Sequence, residues 1–294
     1  MAHYHNLRAQ RPKSGPVGTV TRGTTGVNRL RKCDRWMVHN PDIWRALEAP
    51  GIPGLGRQAR GVLDDGAPTA IDLGYGASDT TTVEWARHLR RIQPDVRVLG
   101  LEIEPSRIFP ATDGVEFALG GFELAGHQAH LVRAFNVLRQ YDVTEVIAAW
   151  EEVASHLTPH GLFVEGTCDE LGRRCSWINL DRHGPKSLTL AWDPTDVALP
   201  SDVAERLPKI LIHRNIPGEP IYDLLSRIDQ AWLEQAAWST YGPYIRWSHT
   251  LATLRQDPAL QLQELPIQKK ARLRDCVLTV PFSTVFPERI EFPG

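Results

Sequence analysis

Between about residues 65 and 200, the chain alternates short apolar runs with amphipathic segments. Five apolar runs, each bounded by turn-forming residues, predict buried strands at 70–73, 96–103, 115–119, 131–138 and 162–166. After the first run, apolar residues recur at near-helical spacing at Val83, Ala86, Leu89 and Ile92. This alternation of strand and helix predicts an α/β domain built on a largely parallel sheet.

The end of this region departs from the parallel pattern. Apolar positions from Val146 to Leu157 mark one face of a strong helix, and Pro159 and Gly161 stop it. Two further β-like runs, at 176–180 and 188–192, are close enough in sequence to pair antiparallel. The pattern therefore predicts a parallel core that closes with an antiparallel pair.

The first strand ends in a glycine turn that lacks the third glycine of a common nucleotide-binding fingerprint. Gly74 and Gly76 supply the first two positions of a G-x-G-x-x-G dinucleotide fingerprint, but Asp79 stands at the third. A carboxylate at the start of the next helix disfavours a pyrophosphate there. Asp72 adds a second negative charge before the turn. The turn thus suits a ligand with no phosphates and a positive end.

The stretch Asp72-Leu73-Gly74-Tyr75-Gly76 resembles the D-x-G-x-G motif of class I S-adenosylmethionine-dependent methyltransferases, and the resemblance covers roughly residues 65–195. It implies a Rossmann-like, mostly parallel sheet of seven strands with an antiparallel final pair. It also implies that the glycine turn packs on the methionine part of the cofactor. Glu102, at the end of the second strand, stands where the family's ribose-binding acid belongs, and a carboxylate can accept both ribose hydroxyls.

The resemblance places the adenine contacts after the third strand, at Gly121, Phe122 and Glu123. Glycine there permits close approach, and Phe122 can cover the face of the ring. The residues expected to bind S-adenosylmethionine are Asp72, Gly74, Tyr75, Gly76, Glu102, Gly121, Phe122 and Asn136.

Polar residues after the fourth and fifth strands are expected to bind the methyl acceptor, because loops at the carboxyl ends of strands carry function. The expected acceptor-binding residues are Asn136, Arg139, Glu165, Asp169 and Arg173. The chain lacks the Asn/Asp-Pro-Pro-aromatic motif of amino-methylating enzymes and a Pro-Cys nucleophile, which disfavours those two reactions on bases. No catalytic residue is assigned, because alignment of an activated methyl group supplies much of the rate.

Charge and composition divide the chain into three predicted parts. Residues 1–40 hold eight Lys or Arg against one acid, Asp34, and predict a basic, partly disordered N-terminal arm. An alternative reading of its last part is a helix that packs Leu30 and Trp36. Residues 41–200 are the predicted cofactor-binding core, and the proline-rich residues 201–294 a C-terminal cap packed on it.

The remaining sequence features indicate a cytoplasmic protein with no metal and no membrane segment. The four cysteines have no paired spacing, and the histidines form no metal-ligand pair on a convincing helix. No apolar run approaches a membrane span, and the first residues lack an apolar leader core. Nothing in the sequence indicates the oligomeric state.

These observations lead to three hypotheses about function. The first is methyl transfer from S-adenosylmethionine to an anionic acceptor, with RNA favoured over a small molecule because of the basic arm and the arginines near the cleft. The net charge of -2 provides no global field that would draw in nucleic acid. The alternatives are a nicotinamide-dependent oxidoreductase and an inactive, methyltransferase-like binding protein.

Overall fold

The computed structural model of the protein describes residues 15–20, 25–49, 66–263 and 276–293. Its centre is one eight-stranded sheet in the order β3-β2-β1-β4-β5-β6-β7-β8. The strands are β1 (Thr69–Leu73), β2 (Arg97–Glu102), β3 (Val115–Leu119), β4 (Ala129–Phe135), β5 (Leu157–Cys168), β6 (Arg174–Asp181), β7 (Gly184–Trp192) and β8 (Val277–Pro281). The helices are α1 (Arg31–Val38), α2 (Pro41–Ala46), α3 (Thr80–Leu89), α4 (Val143–Ser155), α5 (Lys209–Ile212), α6 (Pro220–Glu234) and α7 (Pro243–Leu254).

The sheet has a parallel part and an antiparallel part. β3, β2, β1, β4 and β5 pair parallel, whereas β6, β7 and β8 continue from β5 as an antiparallel meander. This arrangement confirms the predicted Rossmann-like fold with its parallel core and its antiparallel pair. The structure adds an eighth strand, β8, to the seven that were expected.

Helices cover both faces of the sheet, which is why its central strands are apolar throughout. One buried cluster joins the sheet to α1, α2 and α3, and a second joins it to α4, α5, α6 and α7. α4 shows how the sequence forms such an element: Asp142 and Glu145 make a capping box, and Val146, Trp150 and Val153 lie on the buried face.

Both ends of the chain contribute to the packed fold. Near the N-terminus, Leu30, Trp36 and Met37 are buried and even Lys32 is 2% exposed. Lys32 donates to the carbonyl of Trp192, so burial is compensated by a hydrogen bond. The last part of residues 1–40 thus contains the packed helix of the alternative interpretation, and the predicted three-part division stays a prediction. The C-terminal region packs α5, α6 and α7 on the sheet and adds β8 to it.

Two basic stretches bear on the predicted contact with RNA. Residues 1–14 and 21–24 of the arm, and the basic positions Lys269, Lys270, Arg272 and Arg274, lie outside the described residues. Within the described part of the chain, no helix is long and apolar enough to cross a membrane.

Candidate functional site

The ends of the five parallel strands form one edge of the sheet, called the carboxyl edge here. Its β1–β3 half contains the glycine turn, and its β4–β5 half contains the polar residues that follow β4 and β5. In the turn, Gly74 and Gly76 have φ of 68° and 85°, a region that favours glycine. A Cβ at Gly74 would lie 2.7 Å from a methyl carbon of Val137, so the missing side chain lets the two halves touch.

Asp72 lies beneath the turn and is fully engaged there. Its carboxylate accepts two hydrogen bonds from Arg133, at 3.0 and 2.5 Å, and one from the hydroxyl of Thr82 at 2.7 Å. Asp72 is 3% exposed and does not line the cavity described below. Asp72 therefore stabilises the turn through these bonds. Its expected contact with the cofactor's positive end stays a prediction.

Arg133 is the centre of a buried charge cluster formed with Asp72 and Asp34. Its guanidinium donates to Asp34 of α1 at 2.6 Å and packs over the Trp85 ring at 4.4 Å. Burial, together with the nearby carboxylate of Asp72, raises the pKa of Asp34 to about 7. Because one cation faces two acids, the cluster is negative when both are ionised.

Tyr75 points away from the edge. Its hydroxyl donates to the carbonyl of Arg107 at 2.7 Å, and its ring packs against Phe109 and Phe117. Burial raises the pKa of Tyr75 to about 12, so the side chain is a neutral packing group. Tyr75 can therefore serve a ligand at this turn only through its backbone.

Glu102 is the carboxylate that the structure places at the cavity. It ends β2, is 1% exposed, and accepts hydrogen bonds from the backbone N–H groups of Gly76 at 3.0 Å and Ile103 at 2.9 Å. Arg107 lies 3.8 Å away. A carboxylate offers about four acceptor positions, so roughly two stay available to a ligand diol.

Gly121 and Phe122 line the far side of the same cavity, and together with the next residue, Glu123, they form what is called the wall. Phe122 is 4% exposed and packs edge-on against Tyr141, with 5.5 Å between ring centroids. One oxygen of Glu123 accepts from the Gly121 N–H at 2.8 Å. The wall therefore presents a backbone donor and a carboxylate side by side.

A cavity joins these features, with about 260 Å³ of free space that includes open solvent. It is lined by Leu73, Gly74, Glu102, Ile103, Gly120, Gly121, Phe122, Val137, Tyr141 and three residues of the N-terminal segment, Val17, Gly18 and Thr19. The N-terminal segment therefore occupies one side of the space between the glycine turn and Phe122.

In the β4–β5 half, Asn136 connects the two strands. Its backbone has φ of 61°, which asparagine tolerates well. Its side-chain oxygen accepts from the Cys168 N–H at 3.0 Å, and its amide nitrogen lies 3.4 Å from the Cys168 sulfur. Asn136 is therefore bonded to the end of β5, and its expected binding roles stay predictions.

Cys168 and Cys175 face each other across β5 and β6, a proximity that their sequence spacing did not indicate. Hydrogen bonds from Cys175 and Asn136, and the nearby guanidinium of Arg29, lower the pKa of the Cys168 thiol to about 7 against the effect of burial. Arg29 also donates to the carbonyl of Asp169 at 2.9 Å. Arg29, which lies within the predicted basic arm, therefore bonds to the packed part of the protein.

Asp169 and Arg173 belong to the turn between β5 and β6. The carboxylate of Asp169 accepts the N–H groups of Arg173 at 2.8 Å and Arg174 at 3.2 Å, which closes the turn. The side chain of Arg173 is 45% exposed and pairs with Asp196 at 2.7 Å. Both groups are satisfied by the protein itself.

Arg139 lies at the acceptor side of the edge. It donates to the backbone carbonyl of Glu205 at 2.6 Å, and Arg174 pairs with the Glu205 carboxylate at 3.2 Å. Burial and the positive charge of Arg206 lower the pKa of Arg139. The Glu205 carboxylate acts on Arg139 in the opposite direction, so both signs of charge are present around this residue.

Glu165 is buried in β5, just below the edge. It is 1% exposed, and among the described residues neither carboxylate oxygen has a hydrogen-bond partner. Burial raises its pKa to about 8, so the group is protonated at neutral pH. It does not reach the described cavity, and its expected contact with the acceptor stays a prediction.

The structure therefore brings most expected residues to one edge and adds several that the sequence did not single out. Val137 and Tyr141 line the cavity after β4, and Val17 to Thr19 enter it from the segment that the sequence assigns to the arm. The apolar end of the fourth predicted strand contains Val137, but no motif marks it. In the described parts of the chain, no cluster of His, Cys, Asp or Glu could hold a metal ion.

No protein-family model matches the chain. A stretch of 88 residues is 32% identical to the probable inorganic carbon transporter subunit DabA 2 of Bradyrhizobium sp. strain BTAi1, and covers 30% of this chain and 10% of that protein. The chain thus spans about a tenth of the length of this relative.

Among solved structures, the chain is similar to the CcbJ methyltransferase from Streptomyces caelestis, with a TM-score of 0.32, 17% identity, and coverage of 56% of this chain and 71% of that one. It is also similar to the mitomycin 7-O-methyltransferase MmcR, with a TM-score of 0.28, 20% identity, and coverage of 34% and 31%. These similarities are partial, and the fold is assigned from the order of the strands and the glycine turn.

Proposed function

We propose that this chain binds S-adenosylmethionine at the β1–β3 half of the carboxyl edge and transfers its methyl group to an acceptor at the β4–β5 half. One observation carries the proposal: Glu102, Gly74, Gly121 and Phe122 line a single cavity, and the Glu123 carboxylate is bonded to the Gly121 N–H beside it. A diol-binding carboxylate, a glycine turn and a donor–acceptor wall are what a nucleoside without phosphates requires.

The chain's own residues would act by binding and orientation. Glu102 would accept the ribose hydroxyls, Gly74 would let backbone approach the amino-acid part, and Phe122 would cover the adenine. When bound, the cofactor supplies an already activated methyl group on its sulfonium. The protein's contribution is then to hold the acceptor in line and to exclude water, which alone can give large rate effects.

The nicotinamide alternative is disfavoured by Asp79. This residue is the N-cap of α3, where the pyrophosphate of a dinucleotide would meet the helix N-terminus. A carboxylate at that point repels the phosphates. The alternative of an inactive binding protein is distinguished from an active enzyme by measuring methyl transfer.

For the acceptor, the arrangement of charges favours a small anionic molecule over RNA. Arg139 follows β4 and is within electrostatic range of Arg206, with the Glu205 carboxylate partly offsetting their charge. By contrast, Arg29, Arg31 and Lys32 of the basic N-terminal region donate to backbone carbonyls of the fold. Side chains used in this way are poorly placed to contact phosphates along a nucleic acid.

Binding can be tested by calorimetry with S-adenosylhomocysteine, S-adenosylmethionine and NAD. We expect binding of the first two only, and Glu102→Ala should weaken it by about 1.5–3 kcal/mol, or roughly 10–150-fold, because a charge-assisted bond is lost. Glu116→Ala is the matched control, since Glu116 is an exposed carboxylate on the neighbouring strand. Equal losses in both variants would contradict the site.

Activity and acceptor class can be tested with the labelled cofactor. Methyl transfer to a fraction of small anionic metabolites, reduced in Arg139→Gln, is the expected result. Transfer to RNA instead would overturn the acceptor assignment while leaving the cofactor site intact. Cofactor binding with no transfer to either fraction would favour the inactive, binding-protein alternative.

A further inference from the structure

A short segment, residues 15–20, crosses the β1–β3 half of the carboxyl edge as a strap. The Val17 carbonyl accepts from the Phe122 N–H at 2.9 Å, and the Val17 N–H donates to the Glu123 carboxylate at 2.6 Å. The Thr19 N–H donates to the Tyr141 hydroxyl at 2.5 Å. The strap is therefore attached by backbone hydrogen bonds to the wall assigned to adenine.

The pair of bonds at Val17 has a specific chemical meaning. A backbone residue offers one donor and one acceptor. Adenine offers the same pair on its Watson–Crick edge, where the exocyclic amine donates and the neighbouring ring nitrogen accepts. Phe122 N–H and the Glu123 carboxylate are the complements of both. Val17 thus satisfies the two groups that would read an adenine base.

The strap and a base cannot occupy this wall together. A Cβ built on Gly121 would lie 2.0 Å from the Val17 carbonyl oxygen, so the strap backbone fills the space that this glycine leaves open. Val17, Gly18 and Thr19 line the same cavity as Glu102. Any adenine nucleoside that enters must therefore first break the bonds of Val17.

We propose that the strap is an autoinhibitory element, in which Val17 imitates an adenine edge and competes with the adenine nucleoside for Phe122 and Glu123. The inference rests on the proposed cofactor site. Its consequence is a measured affinity lower than that of the open site, because apparent affinity falls with the fraction of molecules in which the strap is released.

Gly18 provides a way to release the strap by a change in the strap itself, since a Cβ there would make only ordinary contact with the Phe122 ring, at 3.6 Å. Gly18 has φ of 144°, which L side chains rarely adopt, and a Cβ there would lie 3.0 Å from the Tyr141 hydroxyl. Gly18→Val should therefore displace the strap. Gly15→Val is the matched control, because the same change at Gly15 meets nothing within 4 Å. Val17→Pro is an independent variant that removes the N–H donated to Glu123.

Titration of S-adenosylhomocysteine into these full-length proteins tests the competition. We expect Gly18→Val and Val17→Pro to bind about 5–20-fold more tightly than wild type, and Gly15→Val to match wild type. Unchanged affinity in both strap variants would overturn the proposal. Weaker binding in both would also overturn it, because the strap would then be a lid that closes over bound ligand.

Amide hydrogen exchange gives a readout that does not depend on affinity. On adding S-adenosylhomocysteine to wild type, Val17 and Thr19 should lose protection while Phe122 keeps it, because the base replaces the Val17 carbonyl. Protection of all three residues in the complex would overturn the competition even if affinities changed.

The failure of the proposed function is recognisable separately. If no variant binds an adenine compound, the cofactor site itself is wrong and the strap proposal is wrong with it. If wild type and both strap variants bind equally well, only the strap proposal is wrong.

Discussion

The two halves of the carboxyl edge are built in different ways. The β1–β3 half offers backbone groups and two carboxylates, Glu102 and Glu123. Its charged support, the Asp72–Arg133–Asp34 cluster, is buried below. In the β4–β5 half, the side chain of Asn136 is bonded to the end of the neighbouring strand β5, and that of Asp169 to its own turn. A site built from backbone groups can be predicted from a glycine motif. A site built from side chains can be predicted only when it is known which strands are neighbours.

The largest expected effect comes from breaking the support of the β1–β3 half. Arg133→Met leaves Asp72 and Asp34 buried without their cation, and should cost about 3–5 kcal/mol of unfolding free energy. Urea unfolding measures it. The control Arg87→Met removes an exposed pair with Asp113, worth about 0–1 kcal/mol.

The deficit of Arg133→Met should also shrink as pH falls below neutral, because protonation neutralises the orphaned carboxylates. A deficit that is equal to the control, or that is independent of pH, would contradict the role of the cluster.

Glu165 provides the opposite test, because among the described residues no hydrogen bond stabilises its ionised form. The unfolded group titrates near 4.3 and the folded group near 8, so between these values the folded state binds more protons. Stability due to Glu165 is thus fully present at acidic pH and is lost as pH rises to about 8. Glu165→Gln should be about 2–4 kcal/mol more stable than wild type at pH 9 and only about 1 kcal/mol more stable at pH 5, where the unfolded carboxyl is already mostly ionised.

Thermal or urea unfolding at the two pH values checks this expectation, with Glu116→Gln as the exposed control. A gain for Glu165→Gln that is the same at pH 5 and pH 9 would show that ionisation of Glu165 is not the cause.

Asn136 tests whether the β4–β5 half depends on side-chain bonding. Asn136→Ala leaves the Cys168 N–H without its acceptor and places alanine at φ of 61°, so it should cost about 2–3 kcal/mol. Asn136→Gly relieves the backbone strain and should be about 1 kcal/mol more stable than the alanine variant. The reverse order would show that the positive φ contributes nothing.

The smallest effect is expected at Arg173. Its side chain is half-exposed and pairs with Asp196 at the surface, so Arg173→Ala should change the unfolding free energy by less than about 1 kcal/mol. Cofactor affinity measured by calorimetry should equal that of wild type. A loss of affinity would mean that the β5–β6 turn supports the cofactor half after all.

The sequence could predict the parallel core and the β1–β3 half, because both depend on local patterns. Gly74 and Gly76 encode a backbone shape, and Glu102 follows its strand directly. It could not predict that Asp72 is used by Arg133, since the partner lies 61 positions away. Nor could it predict that Val17 reaches Phe122, because no periodicity or motif marks a strap held by backbone hydrogen bonds.

The bond between Asp34 and Arg133 also constrains the order in which the chain can fold during synthesis. The two residues are 99 positions apart. At roughly 5–20 residues per second, a ribosome takes about 5–20 s to make the arginine after the aspartate. For that time the buried face of α1, with Trp36 and Met37, has neither its cation nor its sheet. The newly made N-terminal region therefore waits for seconds before the residues that bury it have been synthesised.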